Sequence, residues 1–235
     1  MEVRWIDITD STNRYVREEA GVSVAPMTLV AAREQTAGRG QRGNSWESAP
    51  GENLTFSFYF LPRDIKASSQ FVISEAVALA MVATLREYGI EAKVKWPNDI
   101  YVASKKIAGI LIENSILGSA LSRSIVGVGL NVNQTEFVSD APNPISMKML
   151  TGKQYDLDEI ASVLASNFEC YLAMPTTHHD EYMRVLWRGD GRVYSFRETA
   201  SAEVFMASIE GVEPTGHLLL SGARRYAFKE VAFIL

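Results

Sequence analysis

Apolar and polar positions alternate over residues 54–60, where Leu54, Phe56, Phe58 and Phe60 are separated by Thr55, Ser57 and Tyr59. A period of two is the pattern of a strand. Residues 3–9, with Val3, Trp5 and Ile8 among polar neighbours, and the apolar run 27–32 read as two further strands. Between them Asp10 and Ser11 are helix starters, which predicts a short helix to about residue 20. Over 69–88 the period changes: Phe71, Val72, Ala76, Leu79 and Ala83 recur at helical spacing, and Gly89 supplies the stop. Strands are then predicted at 92–96, 107–113 and 124–132, and a helix at 157–171. From about residue 192 onward only short strands are predicted, at 192–197, 203–209, 217–220 and 225–233, with turn formers such as Gly189-Asp190-Gly191 between them. That change of pattern divides the chain into a larger domain, 1–185, and a small β domain, 186–235.

Composition narrows the picture. The chain has 235 residues, 47% of them hydrophobic and 22% charged, enough for a sizeable core without covalent staples. A net charge of −5 argues against a protein that holds nucleic acid backbone. Cys170 is the single cysteine, so neither an internal disulfide nor a cysteine zinc site can form. The N-terminus lacks the basic start and apolar run of a signal peptide. The most apolar stretch, 71–85, is too short for a bilayer and carries Glu75. No membrane role and a cytoplasmic location are the expectations.

Five clusters carry candidate chemistry. Gly38, Gly40 and Gly43 form a G-x-G-x-x-G loop holding Arg39 and Arg42. The dinucleotide fingerprint of that spelling must open a helix, and here Pro50 and Gly51 follow instead. What survives is a mobile backbone able to approach an anion, with two bidentate cationic donors. Lys95-Trp96-Pro97-Asn98-Asp99 reads as a hairpin turn whose Asp99 could hold a magnesium ion, which takes one or two carboxylates plus substrate phosphates. Lys106 stands just upstream of Gly109, a glycine that weakens a strand and marks a close approach. Gly127 and Gly129 precede Asn131 and Asn133, which alternate and so could share a face. Ser11-Thr12-Asn13 sits at the first helix start, where simple capping is the plain alternative. His178, His179 and His217 have no metal-ligand or triad spacing.

In this order and spacing, Ser11-Thr12-Asn13, the Gly38–Gly43 loop with Trp46, Lys95 to Asp99, Lys106 to Leu111 and Gly127 to Asn131 resemble the biotin–protein ligase family. The resemblance covers about residues 1–185 and continues into the β tail. It implies an α+β fold: a mixed, mostly antiparallel sheet flanked by helices, like class II aminoacyl-tRNA synthetases, with a small C-terminal barrel of Src-homology-3 (SH3) type. It implies activation of biotin with ATP to biotinyl-5′-adenylate, then transfer to a lysine of a biotin carboxyl carrier protein. By the same resemblance, Ser11, Thr12, Asn13 and Gln35 would hydrogen-bond the biotin ureido head, and Gly109 would leave room for its rings. Arg39 and Lys106 would bridge biotin's carboxylate and the α-phosphate. Arg42, Trp46, Asn98, Asp99 and Asn131 would line the ATP side, with Asp99 on Mg2+. Gly38, Gly40 and Gln41 complete the loop over the adenylate.

Two departures stand out. Many members have Arg where this chain has Gln41, and Gln brings no charge, so retention of the adenylate is expected to differ. Only ten residues precede Ser11, which leaves no expectation of a DNA-reading domain. The competing readings are a non-catalytic biotin or adenylate sensor, a lipoate–protein ligase and a general acyl-adenylating enzyme. Arg39, Asp99 and Lys106 together favour the enzyme. Pairing at a sheet edge, with a second copy or with the acceptor domain, is a further expectation.

Overall fold

The computed structural model describes residues 1–138 and 143–234, the Arg42 side chain excepted. Seven strands form one sheet in the order β1-β2-β3-β7-β6-β5-β4. They are β1 (Glu2–Thr9), β2 (Thr28–Gln35), β3 (Leu54–Phe60), β4 (Lys93–Lys95), β5 (Asp99–Val102), β6 (Lys105–Leu117) and β7 (Ala120–Leu130). Only β1 and β2 run parallel, joined through helix α1 (Thr12–Glu19); every other neighbouring pair is antiparallel. The alternation read from the sequence sorts side chains to two faces, since residues opposite each other in the ladder share a face. Leu29, Ala31, Phe56, Phe58, Ala108, Ile110, Val126 and Val128 enter the main core under helices α2 (Phe71–Glu87) and α4 (Leu157–Leu172). Phe168 of α4 lies 5.1 Å from the Phe58 ring and 5.8 Å from Phe56. The other face carries a small cluster of Val16, Val24, Val30, Tyr59 and Ile125 under α1.

The sequence pattern does not announce two helices, α3 (Met147–Thr151) and α5 (His179–Val185), each only a turn or two of chain and too short for a period to show, whereas β5 is the strand expected to restart at Asp99 after the hairpin turn. α2 is the one helix among the described residues long and apolar enough to cross a membrane, counted from Ala67, and it is the central core helix with twelve buried residues.

The C-terminal strands form two three-stranded antiparallel sheets, β10-β11-β12 and β13-β8-β9. Their strands are β8 (Tyr194–Glu198), β9 (Val204–Ala207), β10 (Ile209–Val212), β11 (Leu218–Leu220), β12 (Arg224–Tyr226) and β13 (Val231–Phe233). Two expected strands therefore each split in two. The run 203–209 changes sheets at Ser208, whose N–H donates to Ser221 Oγ (3.1 Å), as strands do at the corner of a small barrel. The run 225–233 breaks at a turn containing Lys229, φ 72°. At the expected division, Leu186 bridges to Val94 and the Trp187 N–H donates to the Val94 carbonyl (2.8 Å), so these residues remain fastened to the larger sheet.

Candidate active site

The site forms on the α1 face of β6 and β7, where the side chains stop. Gly109 pairs with Gly129, and Gly127 pairs with Ser57 of β3. A Cβ on Gly129 would stand 2.2 Å from Trp46, and one on Gly127 would stand 1.9 Å from the Asn13 amide oxygen. The glycines thus seat an indole and an amide directly against the sheet. Gly38 does the same for the loop: a Cβ there would meet the Trp46 carbonyl at 2.5 Å, and the Trp46 N–H donates to the Gly38 carbonyl (2.9 Å). Gly40 donates to the Asn44 carbonyl (2.7 Å), closing the loop around a single 3-10 turn, Gln41–Gly43, rather than a helix.

Two cavities meet at Trp46. The smaller, about 50 Å³, is lined by Ser11, Thr12, Asn13, Gln35, Arg39, Asn98 and the three sheet glycines. Ser11 heads α1 but its side chain makes no capping bond, so the capping explanation fails. The Thr12 N–H and hydroxyl both donate to Gln35 Oε1 (2.8 and 3.0 Å). The Asn13 side chain is committed within the protein: Nδ2 donates to Glu113 Oε2 (2.9 Å) and Oδ1 accepts from Ser57 Oγ (2.6 Å). Sequence reasoning missed Ser57 and Glu113. Both stand among ordinary strand alternation, and only their register opposite the glycines reveals them.

The larger cavity, about 660 Å³, is lined by Asn44, Trp46, Lys95, Asp99, Tyr101, Lys106, Asn131 and Phe137, among others. A register shift between Ile100 and Tyr101 sets Tyr101 opposite Lys106 and skips Ile107. This bulge turns Lys106 onto the face of Asp99, and Lys106 Nζ lies 2.7 Å from Asp99 Oδ1. Lys95 Nζ is 4.0 Å from the same carboxylate. Burial holds Lys95 below the usual lysine range, with the Lys106 and Arg188 charges adding to this and Asp99 opposing. Two buried polar atoms here have no hydrogen-bond partner among the described residues, Trp46 Nε1 and Asn131 Oδ1. Asn131 Nδ2 donates to the Ile145 carbonyl (3.1 Å), which leaves that oxygen aimed elsewhere.

The other expected residues separate. Asn98 ties the β4–β5 turn to β6 by donating to the Ile110 carbonyl (2.7 Å), and it lines the smaller cavity, not the larger. Gln41 lines a cleft of about 210 Å³ between this sheet and the C-terminal strands, with Phe71, Thr215 and His217. Asn133 does not share Asn131's surroundings: its amide clamps Tyr155 N and O (3.0 and 2.9 Å). The Arg42 side chain lies outside the described residues. No group of three His, Cys, Asp or Glu among the described residues could hold a metal by itself.

Residues 5–131 match the biotin/lipoate A/B protein ligase family. The chain belongs to this family. It is 32% identical over 226 residues to the biotin–[acetyl-CoA-carboxylase] ligase of Paracoccus denitrificans, spanning 91% of this chain and 92% of that one. It is 30% identical over 222 residues to the bifunctional ligase/repressor BirA of Bacillus subtilis, spanning 91% of this chain and 67% of the relative. In fold it is similar to the biotin protein ligase of Aquifex aeolicus solved with biotin and ATP (TM-score 0.76, 24% identity, 98% and 97% of the two chains). The α+β sheet and the small C-terminal antiparallel sheets are the architecture of that family.

Proposed function

We propose that this chain is a biotin–[acetyl-CoA-carboxylase] ligase. It joins biotin to ATP, giving biotinyl-5′-adenylate and pyrophosphate. It then passes the biotinyl group to a lysine amine of a biotin carboxyl carrier protein, with release of AMP. The observation that carries this reading is the pair of cavities meeting at Trp46, one small and lined by neutral hydrogen-bonding groups with Arg39 as its one charged residue, the other large enough for a nucleotide and flanked by two lysines. The Paracoccus relative, matched over nearly its whole length, bears this activity in its name.

The chemistry needs two anions to meet. A carboxylate and an α-phosphate about 4 Å apart repel by roughly 4 kcal/mol at an effective dielectric of about 20. Arg39, at the rim of the small cavity, and Lys106, at the large one, neutralise that charge as it builds on the phosphorus. To reach the phosphate, Lys106 gives up Asp99. The freed carboxylate, beside a nucleotide-sized space, is a fitting ligand for a magnesium ion carried mainly by phosphates, which would screen the triphosphate charge. Asn131 Oδ1 is an acceptor suited to the adenine amino group. Trp46 and the glycine loop cover the mixed anhydride and exclude water. We propose the division at 185/186, a cytoplasmic setting, and the open edge β1 as the place where a second copy or the acceptor could add a strand, the β4 edge being covered at Val94 by Leu186 and Trp187.

The test is mass spectrometry of a purified biotin carrier domain after incubation with the protein, ATP, magnesium and biotin. One biotinyl group on one lysine is expected. No gain with biotin but a lipoyl gain with lipoate overturns the substrate assignment.

A further inference from the structure

Hydroxyl protons in the small cavity can be counted. Three oxygen–oxygen contacts run in series: Asn13 Oδ1 to Ser57 Oγ (2.6 Å), Ser57 Oγ to Thr12 Oγ1 (2.8 Å), and Thr12 Oγ1 to Gln35 Oε1 (3.0 Å). Ser57 and Thr12 supply only two protons between them. The amide oxygens at the two ends supply none. Gln35 is fixed with its oxygen inward, because the Thr12 N–H also donates to it. Asn13 is fixed with its oxygen inward chiefly because its NH2 donates to the Glu113 carboxylate (2.9 Å), with the Leu111 carbonyl a longer second acceptor (3.5 Å). The 2.6 Å contact must hold a proton, so the missing one belongs to a contact of Thr12, and Thr12 lines the cavity.

The alternative is a single flip. With the Asn13 NH2 turned toward Ser57, the amide would donate to Ser57, Ser57 to Thr12, and Thr12 to Gln35. Every contact would then hold a proton, and Thr12 would keep only its second lone pair, with no unfilled contact for a ligand N–H to complete. Glu113 forbids that state, since it would set the amide oxygen against a carboxylate. Arg17 in turn holds Glu113 through an ion pair on its other oxygen.

We infer that Glu113 is a positioning residue that keeps the Asn13–Ser57–Thr12–Gln35 chain one proton short, so that Thr12 accepts an N–H from the ligand. The inference rests on the biotin reading, whose ureido group offers such N–H donors. Glu113 reaches the ligand only through Asn13 and need not touch it.

Biotin affinity by titration calorimetry, together with steady-state kinetics, tests this. Glu113→Gln can donate to a flipped Asn13, so it permits the satisfied state. It should weaken biotin binding about tenfold while leaving KM for ATP and kcat unchanged. Asn13→Asp alone sets two carboxylates face to face, and should weaken binding about a hundredfold. The double variant Asn13→Asp/Glu113→Gln restores the pattern. Its new amide at position 113 donates to the new carboxylate at position 13 while accepting from Arg17, and that carboxylate still accepts from Ser57. It should bind biotin better than either single variant. Equal affinity of wild type and Glu113→Gln overturns the inference. So does a double variant no better than Asn13→Asp, or a Glu113→Gln protein that loses kcat and ATP affinity along with biotin. A wild type that binds no biotin overturns the ligase reading itself, and is told apart by that first titration.

Discussion

The two faces of the central sheet are built from the same strands, one residue out of phase, and they do opposite things. On the α2–α4 face Phe56, Phe58, Ala108, Ile110, Val126 and Val128 fill the core. On the other face the next residues along are Ser57, Gly109, Gly127 and Gly129, and they leave a cavity. A strand pattern that fills one side and empties the other supports a fold and a binding site with the same few residues. The cost of a substitution should then depend on the parity of its position. Apolar positions should register as stability and glycine positions as activity.

The largest effect is expected where charge is handled. Lys106→Ala should lower biotin-dependent ATP–pyrophosphate exchange by about a thousandfold, or about 4 kcal/mol of transition-state stabilisation. The fold should survive, since Lys95 remains 4.0 Å from Asp99 to share its charge. A folded variant with normal exchange would remove Lys106 from the chemistry. On the packed face, Phe58→Ala should cost about 3–5 kcal/mol in urea unfolding, because the buried ring touches Phe168 and Phe60. Its kcat, measured cold while the protein is still folded, should be unchanged. A fall in kcat without loss of stability would show that the two faces are not separable.

Gly129→Ala sharpens the same contrast with one methyl group. Its Cβ would lie 2.2 Å from Trp46, so the indole must leave the sheet. Misplacing a covering group by about an ångström can cost about a hundredfold in rate, while alanine in a strand interior is no worse for stability than glycine. An unchanged melting temperature with kcat/KM for ATP down about a hundredfold is expected. Normal kinetics would mean that Trp46 does not cover the substrates.

Much of this was legible before the structure. The alternation at 54–60, the long helical run in α2 and the glycine-interrupted strands each carry a period or a breaker that single residues announce. The site residues at Ser11 to Asn13, Arg39, Trp46, Asp99 and Lys106 were found as motifs, and the structure brings them to the two joined cavities. What stayed hidden depends on register. Lys106 faces Asp99 only because of the bulge at Ile107, which no local pattern betrays. Ser57 looks like any polar residue of a half-buried strand until it is seen opposite Gly127. The change of sheet at Ser208 is invisible for the same reason: β9 and β10 read as one run, and only their partners differ.

Glu75 is the exception on the packed side, a carboxylate 3% exposed within α2. Burial raises its pKa above the usual 4.5, against the hydrogen bond and charge of His179 and the charge of His178, both from the α5 region. His179 Nδ1 lies 2.7 Å from the carboxylate. Tyr182 of the same segment has a buried hydroxyl with no partner among the described residues, and burial with the Glu75 charge pushes its pKa far up. A raised folded-state pKa means that the folded protein holds this proton more tightly than the unfolded chain. The stability it contributes is present below the ordinary carboxylate value and is lost as pH climbs through the raised one. Glu75→Gln keeps a hydrogen-bonding partner for His179 and has no proton to lose. Its melting temperature should therefore fall less than that of the wild type as pH rises from about 4 toward neutrality, with biotin transfer unaffected, since Glu75 lines neither cavity. Parallel curves for the two proteins would show that Glu75 binds its proton no more tightly folded than unfolded, and that the packed face accommodates a carboxylate as readily as water does.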